Sequence, residues 1–350
     1  MKHKNYLLIL IALVVAIFLS IIYSTSIGQV DIPFDQSWNI FISKISNGSV
    51  GSLDHLDNQS YITIIWQLRL PRALFALLVG MGLAVSGTIM QAIVQNPLAD
   101  PYILGISSGA SLGATFVILL GVGSGALFAQ IGVAFGAFIG AIVASFGVLL
   151  LASFGGRITS IKLLLSGMVI SSLLSAFSSL IVYFANNAEG IKTITFWSMG
   201  SLASASWDKL PILSVPVLLS CLFFLFQHRI LNTMLLGDEA AITLGIELGK
   251  YRKIYLALAS LLTGTVVAYS GMIGFVGLII PHLARGLFGA NHKRLLPMVL
   301  LIGSLFMIWA DILSRILIKN VEIPIGIITS VIGAPLFIYI IIKKNYQFGG

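Results

Sequence analysis

Apolar residues fill this chain in long uninterrupted runs, and short polar segments separate them. A bilayer's hydrocarbon core is about 30 Å thick, so a crossing helix needs about 20 apolar residues. By that measure the runs predict crossings at roughly 6–23, 62–90, 101–120, 127–152, 161–184, 210–227, 250–270, 276–289, 296–317 and 325–342. Apolar positions within a run are continuous rather than alternating, which excludes a membrane β-barrel. The pattern therefore predicts an all-α polytopic membrane protein forming one transmembrane domain over residues 1–350. The first run follows Lys2 and Lys4 and is long for a cleaved signal peptide, and with further spans behind it a retained helix is expected. Among the polar segments, 28–60 is the longest, holding Asp31, Asp35, Lys44, Asp54 and Asp57. A short surface helix is expected over 193–205, and a polar, helix-compatible loop over 228–249.

Two of the predicted spans share a motif. Ala84-Val85-Ser86-Gly87 recurs as Ala268-Tyr269-Ser270-Gly271, each followed ten residues after the glycine by a proline, Pro97 and Pro281. The copies fall on the second and seventh spans. An odd offset of five crossings sends the two units through the membrane in opposite directions, the inverted repeat characteristic of transporters. Gly132, Gly136 and Gly140 form a ridge on the fourth span, where small residues let backbones approach closely in lipid. The short eighth span is interrupted by Pro281, and broken segments of this kind line cavities in which freed backbone groups are satisfied.

Composition agrees: the chain is 58% hydrophobic and 9% charged, against roughly a quarter charged in soluble domains. The net charge of +8 would suggest nucleic acid in a soluble protein, but here its distribution matters more. With the N-terminus inside, the inner segments hold Lys2, Lys4, Arg157, Lys162, Arg229, Lys250, Arg252, Lys253, Arg285, Lys293, Arg294, Lys343 and Lys344, and 8 of the 12 acidic residues lie outside. That bias predicts cytoplasmic N- and C-termini. Cys221 lies in an apolar run and reads as a small core residue, and there is neither a CxxC nor a His/Cys cluster, so no metal site is expected. No GxxxxGK[ST] phosphate loop, HExxH or GxSxG stretch occurs, so no catalytic residues are expected. An ion-coupled carrier would keep a carboxylate at mid-membrane, and none is placed there.

Motifs in order along the chain carry a resemblance. Gln67-Leu68-Arg69-Leu70-Pro71-Arg72 leads to Gly80-Met81-Gly82-Leu83, then Gln91 and Asn96-Pro97-Leu98-Ala99-Asp100-Pro101. Gly237-Asp238-Glu239-Ala240-Ala241 with Leu244-Gly245 follow, then Gly274-Phe275-Val276-Gly277, Pro281-His282-Leu283-Ala284-Arg285, Ala310-Asp311, Arg315 and Gly333-Ala334-Pro335. From about Gln67 to Lys344 the chain resembles the FecCD-type permeases of ABC importers for ferric siderophores, haem and cobalamin. The resemblance implies ten transmembrane helices per subunit in the cytoplasmic membrane of a bacterium, paired with a second permease subunit, identical or a sister chain. It also implies two cytoplasmic ATPase subunits, which carry ATP and magnesium, and an extracytoplasmic substrate-binding protein. The chain itself would bind no cofactor, and an iron complex would be the cargo, with cobalamin as the alternative.

The same resemblance gives site expectations, each beside a plainer reading. Arg69 and Arg72, with Arg315, are expected to dock carboxylates of the binding protein on the outer face. The plainer readings are snorkelling to headgroups and, for Arg315, an intrachain pair with Asp311 one helical turn earlier. Gly237, Asp238, Glu239, Ala240, Ala241, Leu244 and Gly245 would form the coupling helix that seats in the ATPase; the plainer reading is a solvated surface helix. Ser171, Ser175 and Ser178 share a helical face by spacing, and with Thr329 and Ser330 they would line the translocation path; serine faces also serve packing. His282 reads as a structural histidine beside the rarer readings of proton switch or haem ligand. Asn96 and Asp100 read as turn and cap chemistry.

Overall fold

The structure, a computed structural model, describes residues 3–51, 53, 56–121, 132–156 and 158–343. The start of the expected span 127–152 and the charges Lys2, Asp54, Arg157 and Lys344 lie outside the described residues. The rest is helical. A first long helix, α1 (His3–Ser26), is followed by α2 (Phe34–Ile45). Then α3 (Ser60–Thr63) runs through a π-helical stretch, Ile64–Arg69, into α4 (Leu70–Val94). A 3₁₀ turn, Pro101–Leu104, leads to α5 (Ile106–Leu120), and α6 (Gly132–Ser153), α7 (Ser160–Phe184) and α8 (Ala188–Ser198) complete the first half. The second half holds α9 (Leu210–Phe226), α10 (His228–Met234), α11 (Asp238–Thr243), α12 (Leu248–Ser270), α13 (Val276–Phe288), α14 (His292–Ile316) and α15 (Ile325–Lys343).

Each stretch expected to cross the membrane carries one of these helices. Among the described residues six are long and apolar enough to span, α9 and α10 make a seventh bent by 66°, and 106–120, 276–288 and 325–340 are shorter apolar helices. Segment 28–60, read from sequence as merely polar, holds the amphipathic α2, whose Ile40 is buried with Ile32 and Ile65 in a small separate cluster. The surface helix expected over 193–205 lies earlier, over Ala188–Ser198. Asn187 caps it by accepting from the Gly190 amide, and Gly200, at φ +76°, stands in the left-handed region just past its end.

The inverted repeat is visible in the packing. A shift of 184 residues that carries Ser86 onto Ser270 also carries Gly82 onto Val266. A methyl at Gly82 would lie 2.9 Å from Val266, so the pseudo-twofold axis passes between α4 and α12 at this contact. Four residues further along α4, the Ser86 hydroxyl meets the Ala259 carbonyl at 3.2 Å and the Thr263 hydroxyl at 2.5 Å. Advancing along α4 therefore means retreating along α12, and the two helices are antiparallel. The flanking contacts repeat too: Gly80 packs on Gly303 of α14, and its counterpart Gly264 packs on Ala141 of α6.

The proline spacing does not extend this symmetry. After Gly87 helix α4 runs on to Val94, so Pro97 stands in the turn beyond it, whereas α12 stops at Ser270 and Pro281 lies inside α13. The glycine ridge on α6 interlocks with α5, where a methyl at Gly136 would lie 2.8 Å from the Gly113 carbonyl oxygen and Gly140 lies against Gly109. Cys221 is buried in the apolar core.

Candidate functional site

At the N-terminal end of α4 the π-helical stretch Ile64–Arg69 precedes Pro71, with Arg69 and Arg72 on either side of the junction. All three candidate arginines turn into the protein. Arg69 is 7% exposed and donates to the carbonyls of Thr25 (2.8 Å), Ser26 (2.7 Å) and Val30. It thereby satisfies the carbonyls that the end of α1 leaves unpaired. Arg315 does the same for Ser24 and Ile27 (2.9 Å) and pairs with Asp311 at 3.1 Å. The intrachain alternative for Arg315 is thus the geometry seen. Arg72 donates Nε to the other Asp311 oxygen at 2.7 Å and grips Glu322 with both terminal nitrogens, at 3.0 and 2.8 Å.

Asp311 is fully buried between two guanidiniums, while the Glu322 side chain is 32% exposed. Arg69, Arg72, Arg315 and Glu322 line a cleft of about 310 Å³ with Gly28 and Ala203. Neither free snorkelling nor three outward-reaching guanidiniums describes this site. It is a buried cluster of three positive and two negative groups whose more open pair is Arg72 with Glu322.

Beyond the C-terminal end of α4, Gly237 (φ +94°) lets the chain turn into α11, and Gly245 (φ +81°) lets it turn out. Asp238 opens α11 but does more than complement the helix dipole. Its carboxylate pairs with Arg252 of α12 at 2.8 and 2.9 Å and accepts from Gln95, just past α4, at 2.8 Å. Ala241 is buried, and the opposite side exposes Glu239, Ile242 and Leu244 along with Leu236 just before the helix. Asn96 and Asp100 take the expected turn and cap roles, accepting from the amides of Leu98 (2.9 Å) and Tyr102 (2.8 Å). Burial pushes the Asp100 carboxyl up to about 6, against the opposing pull of the Tyr102 amide.

Ser175 lies 3.3 Å from Ser108 of α5, Ser171 faces Gly105 at the start of the same helix, and the Ser178 hydroxyl oxygen is buried. Ser171 and Ser178 are half-buried, whereas Ser175 stays exposed beside Ser108 of α5. The open side of α7 carries Ser172, Ala176 and Ser179 between Leu165, Phe177 and Tyr183. Thr329 is fully buried and donates to the Gly326 carbonyl of its own helix at 3.1 Å, while Ser330 is half-buried. His282 is half-buried on α13. Among the described residues no group of three or more His, Cys, Asp or Glu side chains is placed to hold a metal.

Sequence reasoning passed over three participants. Arg252 looked like one more inner positive charge, and Glu322 and Gln95 carried no signal because their partners come from distant segments.

The model of the FecCD transport family matches residues 12–343. The chain is 40% identical over 288 residues to the hemin transport system permease protein HmuU of Yersinia pestis, covering 82% of this chain and 85% of that one. It is 38% identical over 344 residues, 98% of each chain, to the molybdate import system permease protein MolB of Haemophilus influenzae. Among solved structures, an inward-facing conformation of a putative metal-chelate type ABC transporter aligns with TM-score 0.81 and 36% identity, covering 96% of this chain and 99% of that one.

Proposed function

The chain belongs to the FecCD transport family, and from that premise we propose that it passes an iron complex, a ferric siderophore or haem, across the inner membrane. As a family member it is a multi-pass permease of an ABC importer, a transport component that works with partner subunits. The observation carrying the substrate is the 40% identity to a permease named for hemin.

In this reading a second permease subunit, identical or a sister chain, completes the channel, and N- and C-termini face the cytoplasm. Two ATPase subunits bind ATP and magnesium, and they seat on α11 and the loop 228–249 through Ile242, Leu244 and the exposed Glu239. A loaded binding protein docks at the outer arginine cluster, where its carboxylate competes with Glu322 for Arg72, while Arg69 and Arg315 hold α1 and α14 in place. The path is lined by the open face of α7, where Ser172 and Ser179 join Ser175 of the expected serine set, and by the Ser330 side of α15.

The test is uptake in cells lacking the chain, restored with it, using radiolabelled haem, a ferric siderophore, cobalamin and molybdate in parallel. Restoration of at least tenfold uptake for an iron complex alone is expected. Restoration of molybdate or cobalamin instead would overturn the substrate, and the 38% identity to a molybdate permease makes that arm necessary. Uptake that survives inactivation of the partner ATPase would favour an ion-coupled carrier.

A further inference from the structure

Arg252 stands at the start of α12, 2% exposed, and its guanidinium touches three other segments. Nε donates to the Ile93 carbonyl in the last turn of α4 at 3.3 Å. One terminal nitrogen donates to the Ile158 carbonyl (3.0 Å) and Asp238 (2.9 Å), and the other to the Ser160 hydroxyl (2.9 Å) and Asp238 (2.8 Å). A guanidinium carries five N–H donors in a planar fork, and here all five have acceptors. The segments held are α11, the end of α4, the turn entering α7, and α12 itself. Gln95 adds a second tie, donating to the Met234 carbonyl at 2.9 Å and to Asp238. Gln91, one turn earlier on α4, donates to the Gly277 carbonyl of α13 at 3.3 Å and accepts from Arg285.

We infer that Arg252 is a positioning residue for transport: it is the joint through which displacement of α11 reaches α4, α7 and α12 together. The inference rests on the reading of α11 as the ATPase seat. A six-residue helix joined to the bundle only by chain would tilt independently when pushed. A charge-assisted, bidentate pair to Asp238, buried on the Arg252 side, removes that freedom. The same fork also meets the entry to α7, the helix whose far side is open. The rod and the gate helix are therefore fixed to one planar group and move as a body, as hinge and shear transitions require. Lysine has the charge but a single nitrogen, so it cannot reach four acceptors at once. A plain structural staple would contribute to stability alone; a joint has a readout of its own.

The test uses the permease assembled with its ATPase in nanodiscs. ATP hydrolysis is measured with and without the cognate binding protein, which needs no knowledge of the cargo. For Arg252→Lys, co-purification of the ATPase and basal hydrolysis within twofold of wild type are expected, with stimulation by the binding protein reduced at least fivefold. Ser160→Ala removes the hydroxyl acceptor at α7, together with the long 3.5 Å bond that hydroxyl donates to the Ile93 carbonyl, and leaves the buried charge paired. It should halve stimulation or more at unchanged melting temperature, and it decides the matter where Arg252→Lys fails to assemble. Stimulation at the wild-type level in Ser160→Ala, and in Arg252→Lys where that variant assembles, overturns the joint. Ile242→Glu separates the two ideas: if it leaves ATPase co-purification intact, the reading of α11 as the seat has failed instead.

Discussion

Glu322→Gln and Asp311→Asn make opposite predictions from neighbouring carboxylates. Three guanidiniums against two carboxylates leave the outer cluster with one net positive charge, which Glu322→Gln raises to two. The lost pair spans 2.8 Å but its carboxylate is about one third exposed, so solvent screens much of it. Two unit charges about 4 Å apart interact by roughly 1 kcal/mol in water and several times more near a protein surface. Taking the lower figure for this open position, about 1 kcal/mol of competition disappears, or about fivefold in affinity for an incoming carboxylate. Asp311 is different, since it is buried and shared by Arg72 and Arg315. Neutralising it leaves two buried guanidiniums short of a partner, a loss of about 3–5 kcal/mol of stability. The assay is binding-protein affinity for the permease complex in nanodiscs at about 50 and 200 mM salt, beside thermal melting of each variant. Expected are about fivefold tighter docking for Glu322→Gln with a near-native melt, a gain that shrinks with salt, and a clearly lower melt for Asp311→Asn. Docking that is unchanged or weaker in Glu322→Gln would refute exchange at Arg72.

Four further outcomes follow from the packing. Leu244→Glu, like Ile242→Glu, puts charge on the exposed apolar side of α11 and should cut ATPase co-purification at least tenfold while leaving the permease melt unchanged. In a Cys221→Ser background, cysteines at Ser172 and Ser179 should react with a water-soluble thiol reagent from the open face, and one at Ser171 should react at least tenfold more slowly. Equal rates would return Ser171 to the path. Gly303→Leu forces a side chain where even a methyl would sit 2.5 Å from the Gly80 carbonyl oxygen, so α4 and α14 must separate. Overpacking of this kind costs about 1–3 kcal/mol or more and should show as a lower melt and lost uptake. For Asp100, a folded value near 6 lies above the ordinary 3.8, so the native state binds more protons between those values. Its stability contribution therefore falls as pH rises through that window. Asp100→Asn should melt higher than wild type at pH 7.5, and the difference should vanish below pH 4.

The fold was legible where composition and periodicity act locally. Runs such as 161–184 and 296–317 mark helices because lipid tolerates no other exposed backbone, and the α6 glycine ridge mates with α5 because only small residues allow that approach. What stayed hidden depended on partners far apart in sequence. Arg72 is 250 residues from Glu322, and Arg252 meets acceptors at 93, 158, 160 and 238. Helical spacing showed that Ser171, Ser175 and Ser178 share a face, but the identity of the helix opposite that face, α5, is a matter of topology. Segment 28–60 misled for a related reason: α2 has too few apolar residues to resemble a span, yet its buried Ile40 completes a small core with Ile65.

The two charged clusters are not independent features, because α4 belongs to both. Its N-terminal end carries Arg72, bound to Asp311 of α14 and to Glu322 ahead of α15. Its C-terminal end offers the Ile93 carbonyl to Arg252, with Gln91 tied to α13 and Gln95, just past its end, to α11. At 1.5 Å per residue its 25 residues form a rod of about 37 Å, longer than the hydrocarbon core. It crosses α12 at the pseudo-twofold contact of Gly82 with Val266. A helix pinned at both faces and centred on a small-residue crossing pivots there more readily than it slides. A shift at Arg72 would then move the Arg252 joint, at the other end of the rod, the opposite way. Replacing Gly82 by leucine should lock this pivot against Val266 and Leu262, abolishing stimulation of the ATPase by the binding protein while docking outside and ATPase assembly inside persist. Retained stimulation in a folded Gly82→Leu permease would mean that the signal crosses the membrane by another helix.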